Sequence, residues 1–397
     1  MYFRTLSRCR ACGLVLGIVV FATFQRTQAA GQATLTVDPV QIRVAARASG
    51  LEPLGNIPVP VPNLVAEGVV TDEAALIALG KALFWDQAVG SDGQACASCH
   101  FHAGADNRSK NQLNPDTRNT NPDSTFGNPA IGVHGFPLFG PNYTLVETDF
   151  PFHQLAFPDE ESFLGRSVIR DTNDVASSQG AFNADFERVN SAGMRDPRTP
   201  EPDPVFNVAG ANTRRVEPRN TPTNFNAVFN FANFWDGRAH NTFNGVSVEG
   251  PLDTTATILV ADDAGALTEA SFAVPNSSLA SQAVGPPASR DEMSTNGRLL
   301  AAVGKKIVNQ RPLQRQLVHP DDSVLGHLTR TTVRGGKVVG PAGLETTYTE
   351  MIQAAFHREY WSSSTTITFN PDGTRNIGGA SPDPYGVYSQ IEANFAL

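Results

Sequence analysis

Apolar residues recur at helical spacing in three windows of this chain, and the long stretches between them carry no rhythm at all. Thr71-Asp72-Glu73 offers a cap, and Leu76, Leu79 and Leu83 then follow a helical period, which predicts a helix running to about Trp85. Residues 291–318 repeat the pattern, with Leu299, Leu300, Val303 and Ile307 on one side. Residues 346–361 predict another helix, with Met351, Ala354, Ala355 and Phe356 inward. Ile391 to Leu397 reads as an apolar helical start. Residues 101–218 are instead rich in Asn, Asp, Pro and Gly. Residues 241–278 are loop-rich as well, with one Val/Ile/Thr segment near Ile258 to Ala261. Loops of this length are usually functional or cover a site. The pattern predicts a mainly α protein with long loop insertions at about 101–218 and 241–278, and no internal repeat.

The N-terminus has a different character. Arg4, Arg8 and Arg10 precede an almost unbroken apolar run from Gly13 to Phe24, and Thr27-Gln28-Ala29 offers a small-residue cleavage site. This order predicts a secretory signal peptide over residues 1–29, too short for a comfortable membrane span. Residues 30–70, with Pro53, Pro58, Pro60 and Pro62, read as an extended arm.

Composition narrows the partners. The 397 residues are 40% hydrophobic and 17% charged, as in ordinary globular proteins, while 34 Gly and 28 Pro agree with long loops. The formal net charge is −9. Removal of residues 1–29, with four arginines and no acids, makes it more negative still. An acidic chain argues against nucleic acid or anionic lipid as partner and permits a basic electron carrier. Of the four cysteines, Cys9 and Cys12 leave with the signal peptide. Cys96 and Cys99 remain, so an exported protein of this size has no disulfide framework.

Those two thiols lie in Cys96-Ala97-Ser98-Cys99-His100. C-x-x-C-H is the attachment signature of a c-type haem: the thiols add to the porphyrin vinyl groups, and the histidine supplies an axial nitrogen to the iron. C-x-x-C also serves as a redox dithiol or half a zinc site. Here the flanks Gly90-Ser91-Asp92-Gly93 and Gly104-Ala105-Asp106 read as loop, and no second cysteine pair follows, although His102 lies nearby. The reading is one covalent haem c, assembled after export, in agreement with the signal peptide and a periplasmic location.

Three further motifs carry a resemblance. They are Leu79-Gly80-Lys81-Ala82-Leu83-Phe84-Trp85, then Arg219-Asn220-Thr221-Pro222-Thr223 running into Phe234-Trp235-Asp236-Gly237-Arg238-Ala239, then Gln282-Ala283-Val284-Gly285-Pro286-Pro287 followed by Asp291-Glu292-Met293. In this order around one C-x-x-C-H, the chain resembles the bacterial di-haem cytochrome c peroxidases and the related enzyme that matures methylamine dehydrogenase. The resemblance covers about residues 70–397 and implies a cytochrome c-like helical domain. That family has two haem domains, and the resemblance covers only the N-terminal, peroxidatic one. It leaves three possibilities: a chain truncated before a second haem domain, a second haem on a separate chain, or work with one haem.

The resemblance assigns roles residue by residue. His100 is the axial ligand, Glu292 the distal carboxylate that moves a peroxide proton, and Gln282 a hydrogen-bond partner for peroxide. Trp235 resembles an electron relay, with core packing as its bland alternative. Arg238 pairs with a haem propionate or fixes Asp236. Asn220 resembles a calcium ligand or simply caps a turn. Where some members carry a distal histidine that blocks the iron, this chain has Asn212 and Thr213, and His134 or His153 would have to reach in from the long loop. The implied function is reduction of hydrogen peroxide to water with electrons from a small cytochrome or copper protein. The alternatives are a mono-haem electron-transfer cytochrome and an inactive fragment of a longer enzyme.

Overall fold

The structure is a computed structural model that describes residues 38–115, 141–156, 167–172, 174–370, 373–379 and 386–397. The expected signal peptide over residues 1–29 and His134 lie outside the described residues. Among the described residues no helix is long and apolar enough to cross a membrane.

The chain divides into two units, Met1–Pro58 and Val59–Leu397. In the first, helix α1 (Pro39–Ala48) replaces part of the expected extended arm. Proline at the first helical position is already set for the turn, and the Asp38 carboxylate accepts the Val40 N–H at 2.9 Å. None of its residues is buried.

The second unit holds α2 (Glu73–Trp85), α3 (Ser278–Ala283), α4 (Leu300–Ile307), α5 (Tyr348–Ala355) and α6 (Gln390–Ala393). α2 begins where the sequence places it: the Asp72 carboxylate accepts the Ala74 and Ala75 N–H groups at 2.8 and 3.1 Å. Its buried face, Ala78, Leu79 and Ala82, packs on Tyr348, Met351 and Ala355 of α5, with Val303 and Ile307 of α4 in the same core. The predicted helices over 291–318 and 346–361 are much shorter than expected. α5 opens with a capping box between Thr347 and Glu350 and stops before Phe356. Ala354 is exposed, not inward, and half-buried Ile352 packs against the core instead.

The mainly α expectation is wrong. Among the described residues there are six helices, of 13 residues or fewer, and fourteen short strands. The strands form seven separate two-stranded antiparallel pairs. The reason is local. Asn, Asp, Gly and Pro keep breaking helical runs, and the backbone satisfies its hydrogen bonds in small pairs and turns instead. In the pair 332–334 with 337–339, Gly335 and Gly336 sit at φ +57° and +71°, the left-handed conformation that a two-residue hairpin turn needs. The pair Ile258–Ala261 with Leu267–Ala270 contributes Leu259 to a second small core with Ile367, Phe369 and Tyr388.

Where α2 ends, buried Asp86 joins three segments. Its carboxylate accepts from Ala88 N (2.8 Å), Leu313 N (2.7 Å) and the Tyr348 hydroxyl (2.9 Å). This turns the chain directly into the loop that carries the two thiols.

Candidate haem site

The loop after Asp86 is held on several sides. Gly90 N–H closes it on Gln94 O at 3.0 Å, and Ser91 N–H bonds Met293 O at 2.8 Å. The Gln94 amide donates to the carbonyls of Gln179 and Gly180. Beneath it lies an ionic cluster with no exposure: Asp196 is 3.0 Å from Arg298 Nε and 3.4 Å from Lys306 Nζ. Arg298 and Lys306 also donate to the carbonyls of Val89 and Gly90. Burial lowers the Lys306 ammonium to about 8, although Asp196 opposes the shift.

Residues Cys96–Ser98 form a single 3-10 turn, closed by Cys99 N–H and His100 N–H on Cys96 O at 3.2 and 3.1 Å. Both thiols are half-buried and unpaired with each other. Burial raises Cys96 to about 11 and Cys99 to about 12. His100 Nδ1 lies 2.9 Å from the carbonyl oxygen of Pro222. A carbonyl only accepts, so Nδ1 carries the proton and Nε2 keeps a free lone pair. Burial lowers the His100 pKa, against the Pro222 bond, and so favours this neutral form.

Cys96 forms part of the wall of a cavity of about 380 Å³. Leu76, Leu79 and Leu83 of α2 line one part, Val284 and Pro287 another, and Phe356 and Phe395 a third. The walls are almost wholly apolar. His102 accepts the Gly104 N–H on Nδ1 at 2.8 Å, which places its proton on Nε2, a buried atom with no hydrogen-bond partner. Cys96 ties the apolar slot to the C-x-x-C-H turn, and in that same segment His100 keeps Nε2 free and His102 carries an orphaned donor. Thiol, free imidazole nitrogen and apolar wall are the donor set and surface that a haem takes. Among the described residues no group of three or more His, Cys, Asp or Glu could hold a metal ion, so the zinc reading gains no further ligands.

The other expected residues divide. Glu292 is half-buried, and its negative charge is felt at Cys96. Its turn is fixed by Met293 and Ser294 N–H groups on Ser289 O. Gln282 is half-buried on α3, between wall residues Ala280 and Val284. Trp235 is 69% exposed, so it is not a core residue. Its indole N–H donates to Asn220 O at 2.9 Å. Arg238 bonds the Asp236 carboxylate and stacks 3.9 Å over Phe234, so the contact with Asp236 is the one present. Asn220 donates its amide to Ala176 O. Asn212 is engaged at both ends of its amide, with Asp203 N and Glu201 O. His153 is exposed on a strand paired with 168–171.

Sequence reasoning missed Asp106, Arg108 and Ser178, which bond around the C-x-x-C-H turn. For Asp106 and Arg108 the only signal was their place in the loop just after it; Ser178, far along the long insertion, gave none. No curated protein and no solved structure matches the chain. Residues 189–330, which contain Asn220, Trp235, Arg238, Gln282 and Glu292, match the family model of the di-haem cytochrome c peroxidases.

Proposed function

We propose that this chain is a periplasmic c-type haem peroxidase that holds one haem through Cys96 and Cys99, takes His100 as the axial ligand and reduces hydrogen peroxide to water. The matched family is one of haem-binding oxidoreductases. The observation that carries the reading is the contact of His100 Nδ1 with Pro222 O at 2.9 Å. It fixes the ring and leaves Nε2 as a metal-binding nitrogen, the arrangement that tunes axial histidines. A haem held by Cys96, Cys99 and His100 would supply an iron that exchanges electrons with peroxide.

The chain's own residues do the rest. Glu292 would hold and move the proton that peroxide must pass between its two oxygens before water can leave, and the haem would supply the electrons. Gln282 offers its amide to hold peroxide. Trp235 stands on the surface as the receiving point for electrons from a small cytochrome or copper protein, with exposed Phe225 and Phe231 in the same segment. From its indole a bonded path runs through Asn220 O, along the backbone to Pro222, and across Pro222 O to His100. A calcium ion at Asn220 and a second haem domain belong to this reading only as additions supplied from elsewhere.

The test has two stages. Intact mass should show one covalent haem on the mature chain, and bare polypeptide mass would end the haem reading. Stopped-flow mixing with peroxide should then show Glu292→Gln reacting about 10²–10⁴-fold more slowly than wild type, with an unchanged resting spectrum. Equal rates would remove Glu292 from the mechanism. No reaction in either would favour the electron-transfer cytochrome or the inactive fragment.

A further inference from the structure

We propose that Asp106 is a positioning residue for the iron ligand His100, acting through a closed ring of hydrogen bonds that joins three segments of the chain. The proposal rests on the haem reading above.

One arm of the ring runs through Arg108. Its guanidinium bonds the Asp106 carboxylate through Nη2 at 2.5 Å and Nε at 2.9 Å, and Nη2 also donates to Ser98 O at 2.7 Å. Ser98 lies inside C-x-x-C-H. The other arm runs through two hydroxyls. Ser178 Oγ donates to Asp106 Oδ2 at 2.7 Å, and Thr221 Oγ1 donates to Ser178 Oγ at 2.9 Å. Thr221 precedes Pro222, whose carbonyl meets His100 Nδ1. The backbone from Ser98 to His100 closes the ring.

The hydroxyl arm is built inside the protein: the Asp106 side chain is 2% exposed, and Ser178 and Thr221 are buried, while Arg108 closes the other arm from the surface with 44% exposure. Burial alone would raise the Asp106 carboxyl, yet the bonds from Arg108 and Ser178 hold it below the usual range. Hydrogen bonds to an ionised group are short and strong, so a charged carboxylate fixes both arms more firmly than a neutral side chain would. Pro222 has no N–H of its own to anchor it, so its carbonyl is placed through its neighbours, of which Thr221 is held by the Ser178 hydroxyl. The strength of the Pro222 bond sets how basic Nε2 is, and a more basic axial nitrogen favours the oxidised iron. Slackening the ring therefore favours the reduced form.

The experiment uses the haem-loaded full chain with Asp106→Asn, Thr221→Val and the double variant. Reduction potentials and the iron–histidine stretch in resonance Raman spectra of the reduced protein are measured. Each single variant should keep its haem by mass, lower the stretch, and move the one-electron equilibrium toward the reduced form by up to about tenfold, or about 59 mV. The double variant should shift no further than Asp106→Asn alone, because both changes open the same ring. Unchanged potential and stretch, or fully additive shifts, would overturn the proposal. If Asp106→Asn does not fold, Arg108→Lys replaces it, since it keeps the charge and loses the two-pronged contact. A wild-type chain without covalent haem overturns the haem reading itself, and shows this before any variant is made.

Discussion

Single residues decide how closely the parts of the site approach. Gly180 stands where the backbone of the long loop meets the Glu292 turn, and a Cβ there would lie 1.6 Å from Asp291 O. Its own N–H bonds Arg215 O, and its carbonyl accepts from Gln94 and Arg214, so the backbone cannot step aside. Gly180→Ala should destabilise the fold by about 1–3 kcal/mol, the usual cost of overpacking, and slow the peroxide reaction by displacing Glu292. Thermal melts and stopped-flow rates check this, and a variant with full stability and full rate would show that the contact yields freely. Residue identity alone told part of this story. Cys96, Cys99 and His100 stand out in the sequence because three residue types at fixed spacing point to haem attachment, which the intact mass checks. The partner of His100 does not, because Pro222 lies far along the chain and its carbonyl has no sequence signature.

At the scale of elements, the helices that pack against the haem loop were read better than the rest. α2 was visible through its Asp72 cap and its apolar stripe. The strand pairs were not, since runs of two to four residues are too short for an alternating pattern to emerge. α4 carries a feature that periodicity hides: Lys306, on the inner side of an otherwise apolar face, is fully buried against Asp196. Its folded value of about 8 lies below its ordinary 10.5. Between those values the unfolded chain holds a proton that the fold has released, so this group adds stability as pH rises through that window. Below about 8 the cost of the buried cation is fully present. Denaturant titrations should therefore show a steeper rise for wild type than for Lys306→Met between pH 8 and 10.5, by up to about 1.4 kcal/mol per pH unit. Parallel curves would mean that Lys306 titrates as it does in water.

For the whole molecule, the resemblance pointed to a helical haem domain, whereas the described residues form six short helices and seven separate strand pairs. The motifs did not fix the surrounding scaffold, which here follows from Gly, Pro and Asn in the long insertions. The expected relay Trp235 also shows the limit: its type was legible, its 69% exposure was not. The apolar cavity has one more consequence, for the order of assembly. Its wall joins Leu76 to Cys96 with Ile391 to Leu397, segments synthesised far apart in time. Once those segments meet, the thiols are half-buried and the slot is walled. Haem attachment should accordingly belong to the newly exported, still open chain. Haem-free protein refolded in isolation should resist a thiol-labelling reagent and take up the porphyrin covalently far more slowly than chain presented unfolded to the same attachment machinery. Equal rates would show that the closed wall opens readily. With the slower uptake expected here, maturation runs one way, with the cofactor as a template on which the early and late segments close.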